Sequence, residues 1–195
     1  CAGVCVTASH NPSPWNALKF FDEHGEFINA RAFKSLEECF LSKSFKFQRN
    51  DKLGSLTADN SWVEKHIKAT LKLKGIAAQS IKRKKLKVVV DAVNGAGSAA
   101  LPDFLERLGV SVIKINCKPD GLFPHTPEPI PENLVQLSKA VKKHKAHAGL
   151  ACDPDADRLA VVDETGAPIG EELTLALAVK RVLDVVKSPI VVNMS

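Results

Sequence analysis

The stretch Leu86-Lys87-Val88-Val89-Val90-Asp91-Ala92-Val93-Asn94-Gly95-Ala96-Gly97-Ser98 decides the fold class. Leu86 to Val90 is an apolar run of strand length, rich in the β-branched residues that suit a pleated surface. Asn94-Gly95-Ala96-Gly97 interrupts it as a turn, and Ser98 opens a helix to Leu108 that Gly109 stops. Val110 to Ile115 is the next strand. Downstream, Pro119 to Pro131 is a proline-rich connection and Glu132 to Lys145 a helix whose lysines crowd toward the C-terminal end, complementing the helix dipole. Ala148 to Cys152 and Leu159 to Val162 read as strands on either side of an acidic loop, followed by a turn at Thr165-Gly166. Glu171 to Val186 reads as an amphipathic-to-buried helix leading into a last strand, Ile190 to Ser195.

Upstream of the deciding stretch, a helix runs from Ser61 as N-cap through Trp62 and Ile67 to about Leu73, with Gly75 ending it. Residues 46 to 60 are polar and irregular, and a domain boundary is expected there. Arg31 to Leu41 is helical, with Phe33, Leu36, Phe40 and Leu41 near 3.6 spacing. Gly3 to Thr7 and Leu18 to Phe21 are strands flanking a polar loop, Ser9 to Asn16, and the second closes on the turn Asp22 to Gly25. Strands alternating with helices make the expected class α/β, with mixed, largely parallel sheets.

Composition sets outer limits. The chain has 195 residues, 45% of them hydrophobic, enough for a sizeable core. No apolar run approaches the ~20 residues that span a bilayer, so a soluble, cytoplasmic protein without a membrane partner is expected. The five cysteines, at 1, 5, 39, 117 and 152, show no C-x-x-C spacing and are read as reduced core or near-core thiols. A net charge of +5 suits an anionic ligand without identifying one. The densest basic run, Lys82-Arg83-Lys84-Lys85, lacks interleaved aromatics and reads as a solvated approach to a strand, so no nucleic-acid partner is expected. The first residue is not Met, and both ends read as the interior of a longer protein.

Asp153, Asp155 and Asp157 alternate, and alternate residues of an extended segment share a face. Two carboxylates about 5 Å apart repel by roughly 3 kcal/mol at an effective dielectric near 20. The cluster therefore calls for a cation, and all-oxygen ligation favours Mg²⁺ or Ca²⁺ over zinc. An EF-hand fails, because Arg158 stands where that loop needs Gly and the flanks are strands. Arg158 beside the carboxylates suits a site that closes on phosphate, since a guanidinium grips phosphate oxygens in pairs.

Thr7-Ala8-Ser9-His10-Asn11-Pro12 follows a strand, at the sheet edge where α/β folds tend to bind ligands. A Ser-His pair alone is weak, because a hydrolase triad also needs a positioned acid. Gly95-x-Gly97-x-x-Ala100 matches a loose dinucleotide fingerprint, but Asn116 and Cys117 stand where its acid belongs. The glycines are read as a tight strand-helix turn, with a dinucleotide-binding domain as a lesser alternative.

The string Thr7 to Pro12, followed by Trp15-Asn16-Ala17-Leu18-Lys19, resembles the phosphoserine loop of the α-D-phosphohexomutase family. Asp153-Pro154-Asp155-Ala156-Asp157-Arg158 is similar to that family's metal loop, which usually has Gly where Pro154 stands. The resemblance extends to Asp91 to Gly97 and to Pro127-Glu128-Pro129. It implies that Ser9 is the phosphorylated serine and that Asp153, Asp155, Asp157 and a phosphoserine oxygen of Ser9 hold Mg²⁺. It implies further that Arg158 steadies the phosphate and that His10 and Lys19 flank the reacting oxygens, with Lys19 as proton shuttle. The implied activity interconverts hexose 1-phosphate and hexose 6-phosphate, with a hexose 1,6-bisphosphate as intermediate and activator.

Four domains are characteristic of the family. The resemblance implies the C-terminal part of domain 1 at 1–54, domain 2 at 55–168 and the start of domain 3 at 169–195. A Gly-Glu-x-Ser-Gly sugar loop is not found: Gly170-Glu171-Glu172 is followed by Leu173 and Thr174 and opens a helix. Nor is a Ser-Gly-Thr phosphate loop. The chain alone is therefore expected to bind Mg²⁺ but to turn over poorly, with a non-catalytic Mg²⁺-binding module as the other reading. Which hexose phosphate it takes, and its oligomeric state, are not legible.

Overall fold

The computed structural model describes residues 2–191. Contacts divide the chain into two units, Cys1–Ala8 with Asn16–Asn60, and Ser9–Trp15 with Ser61–Ser195.

In the first unit, β1 (Gly3–Val6) pairs antiparallel with β2 (Leu18–Phe21), Cys5 lying opposite Lys19. The chain then turns at Asp22, whose carboxylate accepts the backbone N–H of His24 and Glu26. Helix α1 (Ala30–Ser42) starts at Asn29, whose Oδ1 accepts the Ala32 N–H at 3.0 Å. Its apolar residues Phe33, Phe40 and Leu41 are exposed. A short 3₁₀ turn (Asn50–Lys52) interrupts the irregular stretch that follows.

The second unit is a sheet between helices. Its elements are α2 (Trp62–Leu71), α3 (Ala78–Arg83), β3 (Lys87–Asp91), α4 (Gly97–Arg107), β4 (Ser111–Ile115), α5 (Val135–His144), β5 (Ala148–Cys152), β6 (Leu159–Val162) and α6 (Glu171–Leu183). Among the described residues the sheet has four strands in the order β4-β3-β5-β6. β3 pairs parallel with both β4 and β5, whereas β5 and β6 form an antiparallel hairpin. The expected largely parallel α/β sheet is what forms, with an antiparallel edge.

Alternation along β3 explains the layering, because successive side chains point to opposite faces. Val89 packs with Leu134, Leu137, Val141, Ala151 and Val162 on the α5 side. Val88 and Val90 pack with Leu108, Val110, Ile81 and Phe104 on the side of α3 and α4. A strand covered on both faces needs a continuous apolar run, which is what Val88 to Val90 provides.

Several expectations are corrected. The basic run 82–85 is exposed ahead of β3, as expected, but its first two residues, Lys82 and Arg83, end a short helix, α3, that was not expected and whose apolar contact is Ile81. The helix expected from Glu132 begins at Val135, after a 3₁₀ turn (Pro131–Asn133). α6 buries none of its residues, since it packs against β6 on one side and leaves Leu173, Leu175 and Leu177 exposed. Cys5 is exposed rather than near-core, while Cys152 is buried, and Cys5, Cys39, Cys117 and Cys152 are all free thiols. Ile190 and Val191 are in no strand, and the rest of the expected final strand lies outside the described residues. No helix among the described residues is long and apolar enough to cross a membrane.

The proline-rich connection is tied down from beneath. Asp91, 1% exposed, accepts the Val93 N–H on Oδ1 and Asn116 Nδ2 on Oδ2. The same Oδ2 lies 3.0 Å from His125 Nε2. The carboxylate beside it raises the His125 pKa above its ordinary 6.5, more than partial burial lowers it. A folded-state value above the unfolded one means the pair's contribution is complete below about pH 6.5 and fades as pH rises through the folded value. His125→Gln should therefore lower stability more at about pH 5.5 than at about pH 8.5, read from urea midpoints at the two pH values.

Candidate phosphate and metal site

β3 and β5 run parallel with Asp91 in register with Ala151, so the turn after one strand lies beside the loop after the other. This is the carboxyl edge of the parallel strands, where α/β sheets place ligands. The turn after β3 supports the acidic loop directly. Ala96 N–H donates to Pro154 O at 2.8 Å. A Cβ on Gly95 would lie 2.5 Å from Pro154 O and 2.7 Å from its Cα, and one on Gly97 would collide with Cys152 Sγ. Both glycines are demanded by close approach to the acidic loop. Asn116 points inward, donating to Asp91 and to Gln136.

Within the loop, Ala156 takes a left-handed conformation with φ 62°, which turns the chain back toward β6. Asp153 is fully buried, and its Oδ1 accepts the backbone N–H of both Asp157 and Arg158 at 3.1 Å. Its Oδ2 is also buried, with no hydrogen-bond partner. One ligating oxygen from each of Asp153, Asp155 and Asp157 falls within 4.8 Å of the others. Burial, with the negative charge of Asp155 and Asp157 adding to it, pushes the Asp153 carboxyl up to about 6 against the N–H bonds that lower it. A buried oxygen without a donor, in a cluster of three carboxylates, fits a hard divalent cation. The expected metal ligands Asp153, Asp155 and Asp157 are thus brought together.

Ser9 belongs to the same unit. It takes φ 53°, unusual for a residue with a side chain, and its Oγ lies 3.3 Å from His10 Nδ1. His10 Nε2 lies 3.9 Å from Glu128 Oε1, and Arg158 Nη1 donates to that same oxygen at 3.4 Å. A line of contacts therefore runs from Ser9 through His10, Glu128 and Arg158 to Asp153. Lys19 lies in the other unit, on β2.

The family description "Phosphoglucomutase/phosphomannomutase, alpha/beta/alpha domain II" matches residues 64–166, more than half of the chain. The chain belongs to the phosphoglucomutase/phosphomannomutase family. The description of alpha/beta/alpha domain I matches residues 1–47. A probable phosphoglucosamine mutase of Methanosphaera stadtmanae is 40% identical over 166 residues, covering 85% of this chain and 36% of that protein. A phosphoglucomutase/phosphomannomutase of Thermococcus kodakarensis is 37% identical over 182 residues, 93% of this chain and 39% of its own length. The crystal structure of a phosphoglucomutase/phosphomannomutase family protein from Burkholderia thailandensis superposes with a TM-score of 0.73 at 28% identity, over 94% of this chain and 38% of that one. The chain thus spans about two fifths of the length of the curated relatives it matches.

Sequence reasoning missed two parts of this candidate site. Gly95 and Gly97 were legible as a turn but not as the seat of the acidic loop. Glu128 was legible only as part of Pro-Glu-Pro, because its partners lie far away in sequence.

Two outcomes are expected. Metal affinity, followed by calorimetric titration with Mg²⁺, should fall as pH drops below about 6, because a protonated Asp153 cannot ligate a cation. Gly95→Ala should weaken Mg²⁺ binding by about tenfold or more, since its Cβ must displace Pro154 and with it the ligands on either side.

Proposed function

We propose that this chain supplies the phosphoryl-transfer centre of a Mg²⁺-dependent hexose-phosphate mutase, with Ser9 as the residue that carries the phosphate. The observation behind this reading is the unbroken line from Ser9 through His10, Glu128 and Arg158 to the carboxylates of the acidic loop. The relatives are named for phosphoglucosamine, phosphoglucose and phosphomannose mutases, which points to hexose 1- and 6-phosphates as substrates. Residues 1–54 are assigned to the C-terminal part of domain 1, 55–168 to domain 2 and 169–195 to the start of domain 3.

Asp153, Asp155 and Asp157 would hold Mg²⁺ together with a phosphoserine oxygen of Ser9. The bound cation would neutralise charge on the transferring group. That need is acute, because phosphoserine brings about −2 into a site that already holds three carboxylates. Arg158, at the end of the loop, would steady phosphate oxygens. Phosphoryl transfer relies mainly on positioning and charge neutralisation, and these residues supply both. In the forward half, the Ser9 Oγ–P bond breaks as a bond forms from phosphorus to the sugar hydroxyl oxygen, whose proton passes to Lys19, while the departing Ser9 Oγ takes a proton from His10. The hexose 1,6-bisphosphate so formed turns round and returns its other phosphate to Ser9.

Site-resolved mass spectrometry after incubation with Mg²⁺ and glucose 1,6-bisphosphate tests this reading. Phosphate should appear on Ser9, and Asp155→Ala should abolish it or slow it by about a hundredfold. An unlabelled Ser9, under conditions that label a known mutase, would leave a metal-binding module without transfer chemistry.

A further inference from the structure

Glu128 belongs to neither a helix nor a strand, yet its place is tightly set. Pro127 and Pro129 restrict the backbone on both sides. The Glu128 carbonyl accepts Ile130 N–H at 2.9 Å and Asn133 Nδ2 at 2.8 Å. Three residues earlier, His125 is joined to the buried Asp91. The side chain thus projects from a braced segment, and a single oxygen, Oε1, lies against both Arg158 Nη1 and His10 Nε2.

Arg158 and His10 are only partly covered, with side chains 46% and 31% exposed. A long exposed side chain samples many rotamers, and binding a ligand with it costs that freedom unless something has already restricted it. A carboxylate on a fixed segment does so for both groups at once. It cannot itself hold a phosphate, because like charges repel. Its value lies in the Arg158 guanidinium and the His10 imidazole on either side.

The orientation of His10 follows from the same contacts. Nε2 lies 3.9 Å from the Glu128 carboxylate and Nδ1 3.3 Å from Ser9 Oγ, so closing the first gap to hydrogen-bond distance would put the ring proton on Nε2 and leave the Nδ1 lone pair facing Ser9. Sequence reasoning found no acid for the Ser-His pair, and Glu128 stands in that place.

Resting on the mutase reading above, we propose that Glu128 is a positioning residue that orients His10 and Arg158 for phosphorylation of Ser9. When Ser9 takes the phosphoryl group from a hexose bisphosphate, its Oγ–P bond forms and the sugar O–P bond breaks. The Oγ proton passes to His10 Nδ1, and the departing sugar oxygen takes a proton from Lys19. Glu128 touches none of the reacting atoms. It keeps the imidazole in the accepting tautomer and Arg158 extended toward the phosphate.

The test measures the rate of Ser9 phosphorylation from glucose 1,6-bisphosphate and Mg²⁺ in the protein and in Glu128→Gln, Glu128→Asp, His10→Gln and Arg158→Lys. Both Glu128→Gln double variants are included. Glu128→Gln should label about tenfold more slowly, with Mg²⁺ affinity and thermal unfolding unchanged, and Glu128→Asp should recover part of the rate. In the His10→Gln and Arg158→Lys backgrounds, Glu128→Gln should cost much less, because the groups it acts through are already gone. Labelling of Glu128→Gln at the unsubstituted rate, or a full tenfold loss in both backgrounds, would overturn the proposal. Failure of the unsubstituted protein to label is a different result: it removes the mutase reading, and this proposal with it.

Discussion

Three carboxylates whose oxygens lie within 4.8 Å of one another repel strongly, and the second unit is organised around holding them there. The loop's own backbone does part of this, through the two N–H groups that Asp153 Oδ1 accepts. The sheet does more. Because β3 and β5 are parallel neighbours, the glycine turn after one strand becomes the floor under the loop after the other. Val88, Val89 and Val90 anchor that floor in the two apolar layers on opposite faces of the sheet. Burial, with the repulsion from Asp155 and Asp157 adding to it, raises the Asp153 carboxyl to about 6. A cation relieves that repulsion, so folding and ligation draw on the same geometry.

The parts of the fold legible in the sequence are those that depend on local pattern. Leu86 to Ile115 announces a strand, a turn, a helix and a strand because apolar runs and glycines punctuate it, and those elements form where expected. Short or context-dependent features are less visible. α3 is only six residues long and carries a basic run more typical of surface. The direction of β6 cannot be read from its apolar residues, since parallel and antiparallel strands share the same alternation. The exposed flank of α6 has the composition of a buried helix, so periodicity alone pointed inward.

The candidate site divides along the same line. Asp153, Asp155 and Asp157 lie close in sequence and stay close in space. Ser9 and Arg158 belong to separate motifs, and what connects them in space is Glu128, contributed by a connection with no regular structure. Long loops of this kind are uncommon inside a compact domain unless they serve a purpose. Here Asn94 holds one end through Lys118 and Leu122, Asp91 holds the middle through His125, and Asn133 holds the far end through the Glu128 carbonyl. Asn94 and Asp91 meet partners that lie 24 to 34 residues away, which no short window along the chain can detect, whereas Asn133 reaches back only five residues.

The hairpin of β5 and β6 limits which insertions or deletions the acidic loop can take without disturbing the core. Cys152 faces Leu159 across the hairpin, and on the same register Gly149 faces Val162, which is wholly buried in the α5 layer. A residue added or removed between Cys152 and Leu159 must be absorbed within the loop, because passing it on to β6 would slide that strand by one position and turn Val162 out of that layer. The spacing of the three carboxylates is thus tied to the core as well as to a ligand, through the residues that β5 and β6 set opposite one another.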